Sequence, residues 1–107
     1  MAERGAKYSE QVGSAADEVV AALAPLGEVR WKKMFGGAGI FVDDRMFALI
    51  DASGTLHLKV SDANRERFEQ SGAVKHARMP YYSVPASVRA DDDLLLQWAR
   101  ESAELAR

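Results

Sequence analysis

Between Val29 and Val60 four strand-like runs follow one another with almost nothing between them. They are Val29–Met34, Ala38–Val42, Met46–Ile50 and Thr55–Val60, punctuated by Gly36-Gly37, Asp43-Asp44 and Asp51-Ala52-Ser53-Gly54. Glycine and aspartate gather at such places because tight turns demand backbone conformations that other residues resist. A parallel pair of strands needs a crossover of about a dozen residues or more. None of these gaps holds one. The runs must therefore pair as antiparallel neighbours, and the chain is predicted to form a meander.

Before and after the strands the period changes. Val12, Ala15, Ala16, Val19, Val20 and Leu23 recur at helical spacing from about Tyr8 to Ala24, with Asp17 and Glu18 on the solvated side. Ser9 is placed to cap that helix, and Pro25 and Gly27 stop it. Ser61-Asp62 opens a short charged helix anchored by Phe68 and ended by Gly72. Residues 77–85 read as extended, because Pro80 and Pro85 push Met79 and Val84 out of the helical region. Pro80 has no N–H for a ladder, so this strand belongs at a sheet edge or carries a bulge. A last helix runs from Asp91-Asp92-Asp93 to about Ala106, burying Leu94, Leu95, Trp98, Ala99, Ser102, Leu105 and Ala106. Its acidic start suits the helix dipole and supplies a cap. The order α-β-β-β-β-α-β-α predicts an α+β fold, an antiparallel sheet with segregated helices, in one domain over residues 1–107.

Alternation predicts what each strand buries. In Thr55–Val60, Leu56, Leu58 and Val60 point one way and His57 and Lys59 the other, which gives one wet face. Met46–Ile50 is apolar throughout, with Met46, Ala48 and Ile50 on one face and Phe47 and Leu49 on the other. That strand is expected to be covered on both sides, by helices or by a second subunit.

Composition closes off several functions. Fourteen basic against sixteen acidic residues give a net charge of −2, not the positive field of a nonspecific nucleic-acid binder. With no cysteine there is no disulfide framework, no thiolate nucleophile and no thiolate zinc site, which fits a reducing compartment. Met1–Ser9 is polar and does not read as a signal peptide, and no apolar run approaches the ~20 residues of a membrane span. The expected location is the cytoplasm.

The Gly36-Gly37-Ala38-Gly39 cluster invites comparison with a phosphate loop. It lacks the Lys-Ser/Thr of that loop and the third spaced glycine of a dinucleotide fingerprint, and a strand follows it, not a helix. It reads as a hairpin turn with a close-packing glycine. Arg30, Lys32 and Lys33 with Trp31 and Phe35 have the composition of a single-strand nucleic-acid platform. Alternation divides them, with Val29, Trp31, Lys33 and Phe35 on one face and Arg30, Lys32 and Met34 on the other. Trp31 and Phe35 are expected in the core, which leaves Arg30 and Lys32 as candidate nucleic-acid contacts. Tyr81 and Tyr82 point to opposite faces, one to the core and one to solvent as an interface anchor. The Asp91–Asp93 run is expected to cap a helix, not to hold a cation. His57 and His76 lie in separate segments without a neighbouring nucleophile or carboxylate, so neither a triad nor a metal site is expected. No catalytic residue, cofactor or metal is predicted.

Lys33-Met34-Phe35-Gly36-Gly37-Ala38-Gly39-Ile40-Phe41 resembles the opening signature of the TfoX/Sxy N-terminal domain family. The resemblance continues through Met46-Phe47-Ala48-Leu49, Leu56-His57-Leu58-Lys59-Val60, the Asn64–Phe68 helix, Met79-Pro80-Tyr81-Tyr82-Ser83-Val84-Pro85 and the Leu95–Trp98–Ala99 helix. It covers nearly the whole chain, with Ala38 where the family pattern leads one to expect an aromatic. It implies a fold like that of secretion chaperones, and kinship with bacterial competence regulators that act with the cyclic-AMP receptor protein. It implies no catalysis. Full-length competence regulators carry a second, C-terminal helical domain, which the resemblance does not reach, so a stand-alone N-terminal domain is expected and the resemblance does not assign it a role in competence. The candidate interaction residues implied are Lys33, Met34, Phe35, Gly36, Gly37, Gly39, Lys59, Met79, Pro80, Tyr81 and Tyr82. The expected function is a non-enzymatic regulatory module that binds protein, a transcription factor or a second copy of itself. The alternatives are direct DNA binding through Arg30, Lys32, Arg65, Arg67, Lys75 and Arg78, and binding of a small molecule.

Overall fold

The tight turns pair every strand with its successor. In the computed structural model of the protein, which describes residues 2–34, 36–77 and 79–106, with residues 2–10 described by backbone alone, five antiparallel strands stand in chain order. They are β1 (Val29–Met34), β2 (Gly37–Val42), β3 (Arg45–Ile50), β4 (Leu56–Lys59) and β5 (Tyr81–Ser83). β5 lies at an edge, as Pro80 requires, and the Pro80 carbonyl still accepts the Val60 N–H at 2.8 Å. The turn between β2 and β3 is Asp43-Asp44, both with positive φ (52° and 65°), the backbone of a two-residue hairpin.

Helix α1 (Ala2–Ala22) starts well before Ser9, which lies inside it and not at its cap. Its first turns hold mostly strong helix formers without an apolar stripe in the sequence, so hydrophobic periodicity does not announce them. A 3-10 turn, Ala24–Leu26, follows it. Helix α2 (Arg65–Gln70) begins after a turn in which the Asn64 side chain accepts the Ser61 N–H at 2.9 Å. Pro85 precedes α3 (Ala86–Arg89), a single turn too short to show a period. Asp91 caps α4 (Asp92–Leu105) by accepting the Leu94 N–H at 3.1 Å, the role expected of the acidic run.

Helices α1, α2, α3 and α4, with Leu23 just past α1, bury Val12, Ala16, Val19, Leu23, Phe68, Val88, Leu95 and Ala99 in one cluster against one face of the sheet. Phe68 stacks edge-on with Trp98 at 4.8 Å, and Arg67 lies 4.6 Å over the same indole while gripping Glu101 with both arms (2.6 and 3.0 Å). The Ser102 hydroxyl donates to the Lys59 carbonyl at 2.8 Å, tying α4 to β4.

One register shift overrides simple alternation. Ile40 faces Ala48 but Phe41 faces Met46, so Phe47 is an extra residue in β3. A bulge lets two successive residues serve one side. Phe47 thereby joins Ala48 and Ile50 in the helix-facing core, while Met46 and Leu49 fall on the other face. The expected grouping of Phe47 with Leu49 fails because period two holds only in an unbroken ladder. The strand is nonetheless buried from Phe47 to Ile50 by its own chain.

Two residues carry the tightest backbone demands. Gly36 turns the first hairpin with φ 72°, and a Cβ on Gly37 would collide with the Ile50 carbonyl. Gly37→Ala is expected to cost about 2 kcal/mol or more in urea unfolding, as overpacking against backbone does. Ala77 has φ 50°; Ala77→Gly is expected to raise stability by about 0.5–1 kcal/mol.

Candidate functional site

With every helix on one side, the opposite face of the sheet is built from the strands' alternate residues. The register aligns Lys32, Gly39, Leu49, His57 and Ser83 in a row across all five strands. Beside it runs a shorter row of Arg30, Phe41 and Met46. The Met34 sulfur lies over Gly39 where a Cβ would stand, so this glycine makes room for a side chain.

The chain partly covers this face itself. Beyond α2, Val74 exchanges hydrogen bonds with Ser83 (2.8 Å each), Lys75 bridges Tyr82, and the His76 N–H donates to the Tyr81 carbonyl at 2.8 Å. Antiparallel pairing sets His76 on the side of Tyr81 and Ser83, and its ring meets that of His57 edge-on at 4.9 Å. His57 is consequently only 4% exposed. The wet face expected for His57 is therefore a covered one, because alternation tells which way a residue points and not what lies over it. Tyr81 and Tyr82 do take opposite faces, but both are buried. Tyr82 packs toward Phe68 and donates to Glu69 at 3.1 Å; Tyr81 donates to the Met46 carbonyl at 3.3 Å. Neither is the exposed anchor expected. Burial pushes the Tyr81 hydroxyl pKa up.

The turn before β4 brings a carboxylate to the same place. Asp51 Oδ1 accepts from Ser53 N–H (3.0 Å), the Ser53 hydroxyl (2.8 Å) and Thr55 N–H (2.9 Å), a side-chain clamp that shapes the loop. Burial works to raise its carboxyl, but these hydrogen bonds and the nearby His57 together outweigh it and hold it below the ordinary value. His57 is held below the ordinary histidine value of 6.5, chiefly by burial and secondarily by His76, against the opposing pull of the Thr55 carbonyl and Asp51. One ligand atom each from Asp51, His57 and His76 lie within 4.8 Å of one another. Asp51 and His57 flank one hairpin, so their proximity was readable from the Asp-Ala-Ser-Gly-Thr turn. His76 arrives only through the return of the chain along β5, which no local pattern announces.

The second feature is the outer edge of β1, which has no strand partner among the described residues. Arg30, Trp31, Lys32, Phe41 and Asp44 line a groove of about 380 Å³ there. Arg30 pairs with Asp44, and the Lys32 ammonium sits 5.5 Å above the Phe41 ring. Trp31 is half-buried against the core as expected, its indole N–H donating to Asp17 at 2.9 Å, while Arg30, Lys32 and Lys33 are exposed. Of the remaining candidates, Lys59 is half-buried and Met79 donates its N–H to the His76 carbonyl at 3.0 Å. Phe35 and Arg78 lie outside the described residues. The candidate residues thus divide between the β1 edge, the hairpin glycines and the covering segment, and do not converge on one pocket.

Among the described residues no helix is long and apolar enough to cross a membrane. The arrangement is that of a small α+β domain: a five-stranded antiparallel meander with its helices on one face. The chain belongs to the TfoX N-terminal domain family, which it matches over residues 21–106. Among curated proteins none matches it significantly.

His57 and Asp51 make stability depend on pH in one direction. Both have folded values below their unfolded ones, so their contribution is complete above about 6.5 and is lost as the pH falls through the lowered values. The melting temperature is expected to drop between pH 7 and 5, and less steeply in His57→Gln, as followed by circular dichroism.

Proposed function

We propose that this protein is a regulatory module that acts by binding another protein, with no catalysis of its own. The observation that carries the reading is the outer edge of β1, a six-residue strand that among the described residues pairs on one side only. Its exposed Arg30, Lys32 and Lys33 guard the edge against pairing with a second copy, since like charges would meet. The same charges favour an extended acidic segment that adds to the sheet as a further strand. Family membership supports the regulatory part, by kinship with competence regulators. The expectation of a homodimer drew on Met46–Ile50 needing outside cover, and burial of that strand within one chain removes the need. Direct DNA binding is the weaker alternative, because Arg30, Arg65 and Arg67 are already paired with Asp44, Asp62 and Glu101. The groove beside β1 is near the small end of ligand pockets, which leaves little room for a small-molecule reading.

Amide exchange measured with an acidic extended peptide is expected to show protection confined to Arg30–Met34. Lys32→Glu with Lys33→Glu is expected to weaken binding about tenfold or more, a loss of ~1.4 kcal/mol or greater. Protection elsewhere, or affinity indifferent to the charge reversal, would sink the reading. Binding to duplex DNA at low salt that the same variant abolishes would replace it with the DNA alternative.

A further inference from the structure

We propose that Asp51, His57 and His76 form a binding site for a divalent transition ion of the zinc class. This goes beyond the protein-binding reading and does not depend on it. The three side chains come from the turn before β4, from β4 and from the segment that returns along β5, and their ligand atoms lie within 4.8 Å of one another. Two imidazole nitrogens and one carboxylate oxygen suit zinc and its neighbours in the first transition row. Calcium and magnesium, which take oxygen ligands, are disfavoured by the same set.

Each fixed ligand is held by hydrogen bonds at one atom, which leaves a second atom for an ion. The His57 Nδ1 lies 3.0 Å from the Thr55 carbonyl, which can only accept, so Nδ1 carries the proton and Nε2 presents its lone pair. A backbone carbonyl behind a metal-binding imidazole is the usual way such a ring is held. On Asp51 all three hydrogen bonds fall on Oδ1, leaving Oδ2 without a partner among the described residues. His76 is the movable arm. Its backbone is fastened by the Tyr81 and Met79 bonds (2.8 and 3.0 Å), while among the described residues neither ring nitrogen has a hydrogen-bond partner. Ligands around a tetrahedral zinc stand about 3.4 Å apart, so a turn of the half-exposed His76 ring closes the set. Three protein ligands leave one position open for water or for a side chain of a bound partner. An ion here pins His76 and the residues just before it to the sheet, coupling that segment to the Asp51 turn.

Titration of the whole protein with Zn²⁺ by calorimetry is expected to show one site, reversed by a chelator, with a rise in melting temperature. The chain has only two histidines, so nitrogen NMR can follow both, and His57 Nε2 is the atom expected to shift. Asp51→Asn keeps the Oδ1 clamp and removes the ligand oxygen; His76→Ala removes the arm without opening the core. Each is expected to lose more than about tenfold in affinity, since removal of mere supporting partners already costs that much, with the ion-free fold unchanged by circular dichroism. Removing the Asp91–Asp93 carboxylates should leave binding intact. Absence of binding up to millimolar Zn²⁺, or a site indifferent to both Asp51→Asn and His76→Ala, overturns the proposal.

Discussion

The extra residue at Phe47 decides how the two faces of this sheet are filled. Because side chains in a strand alternate, a slip of one residue exchanges the faces of everything beyond it. Without the bulge Phe47 would share a face with Leu49, and the helices would meet Met46 in its place. With it, the helix-facing core gains a phenylalanine at 0% exposure, a burial that stabilises by about 1.5–3 kcal/mol. Leu49 remains on the far face beside Gly39 and His57, an apolar floor on a side with no helix. His57 rests beside that floor, and His76 on His57. The bulge therefore decides which of Met46 and Phe47 enters the helix-facing core, while the Leu49–His57 patch keeps its own register on the other face.

The architecture was largely legible because turn chemistry is local. Glycine and aspartate pairs announced the hairpins, their spacing forced antiparallel order, and Pro80 put β5 at an edge. Asp91 was recognisable as a cap from its place before an apolar stripe. What escaped was decided by tertiary packing or by lengths too short for a period: the early start of α1, the single turn of α3 and the bulge. The candidate site was less readable. Gly36 and Gly37 show in the sequence as turn and close-packing residues, and Arg30 and Lys32 as solvated, because both follow from local pattern. The covering of His57 and Tyr81 was invisible, because it depends on a segment many residues later folding back along β5.

Much of what identifies the family in this chain serves packing. Gly37 clears the Ile50 carbonyl, Gly39 clears Met34, the Lys59 carbonyl receives Ser102, and the Pro80 carbonyl receives Val60. These residues hold the sheet together whatever the domain binds. The exposed basic residues of β1 have no such task, and function is better sought there and at the Asp51 turn than in the glycine signature itself.

Strand order that follows chain order also has a kinetic side. The first three hairpins close over short loops, and local contacts of this kind form quickly. α1 lies over β1 and β2, so that half of the core has all its parts once β2 is made. The other half rests on α4, which packs on β3 and β4 from the far end of the chain. A ribosome adding about 5–20 residues per second leaves Leu56 and Leu58 without their cover for a few seconds. During that interval the half-built sheet presents bare apolar surface, and α4, which contributes no strand, is what ends the exposure.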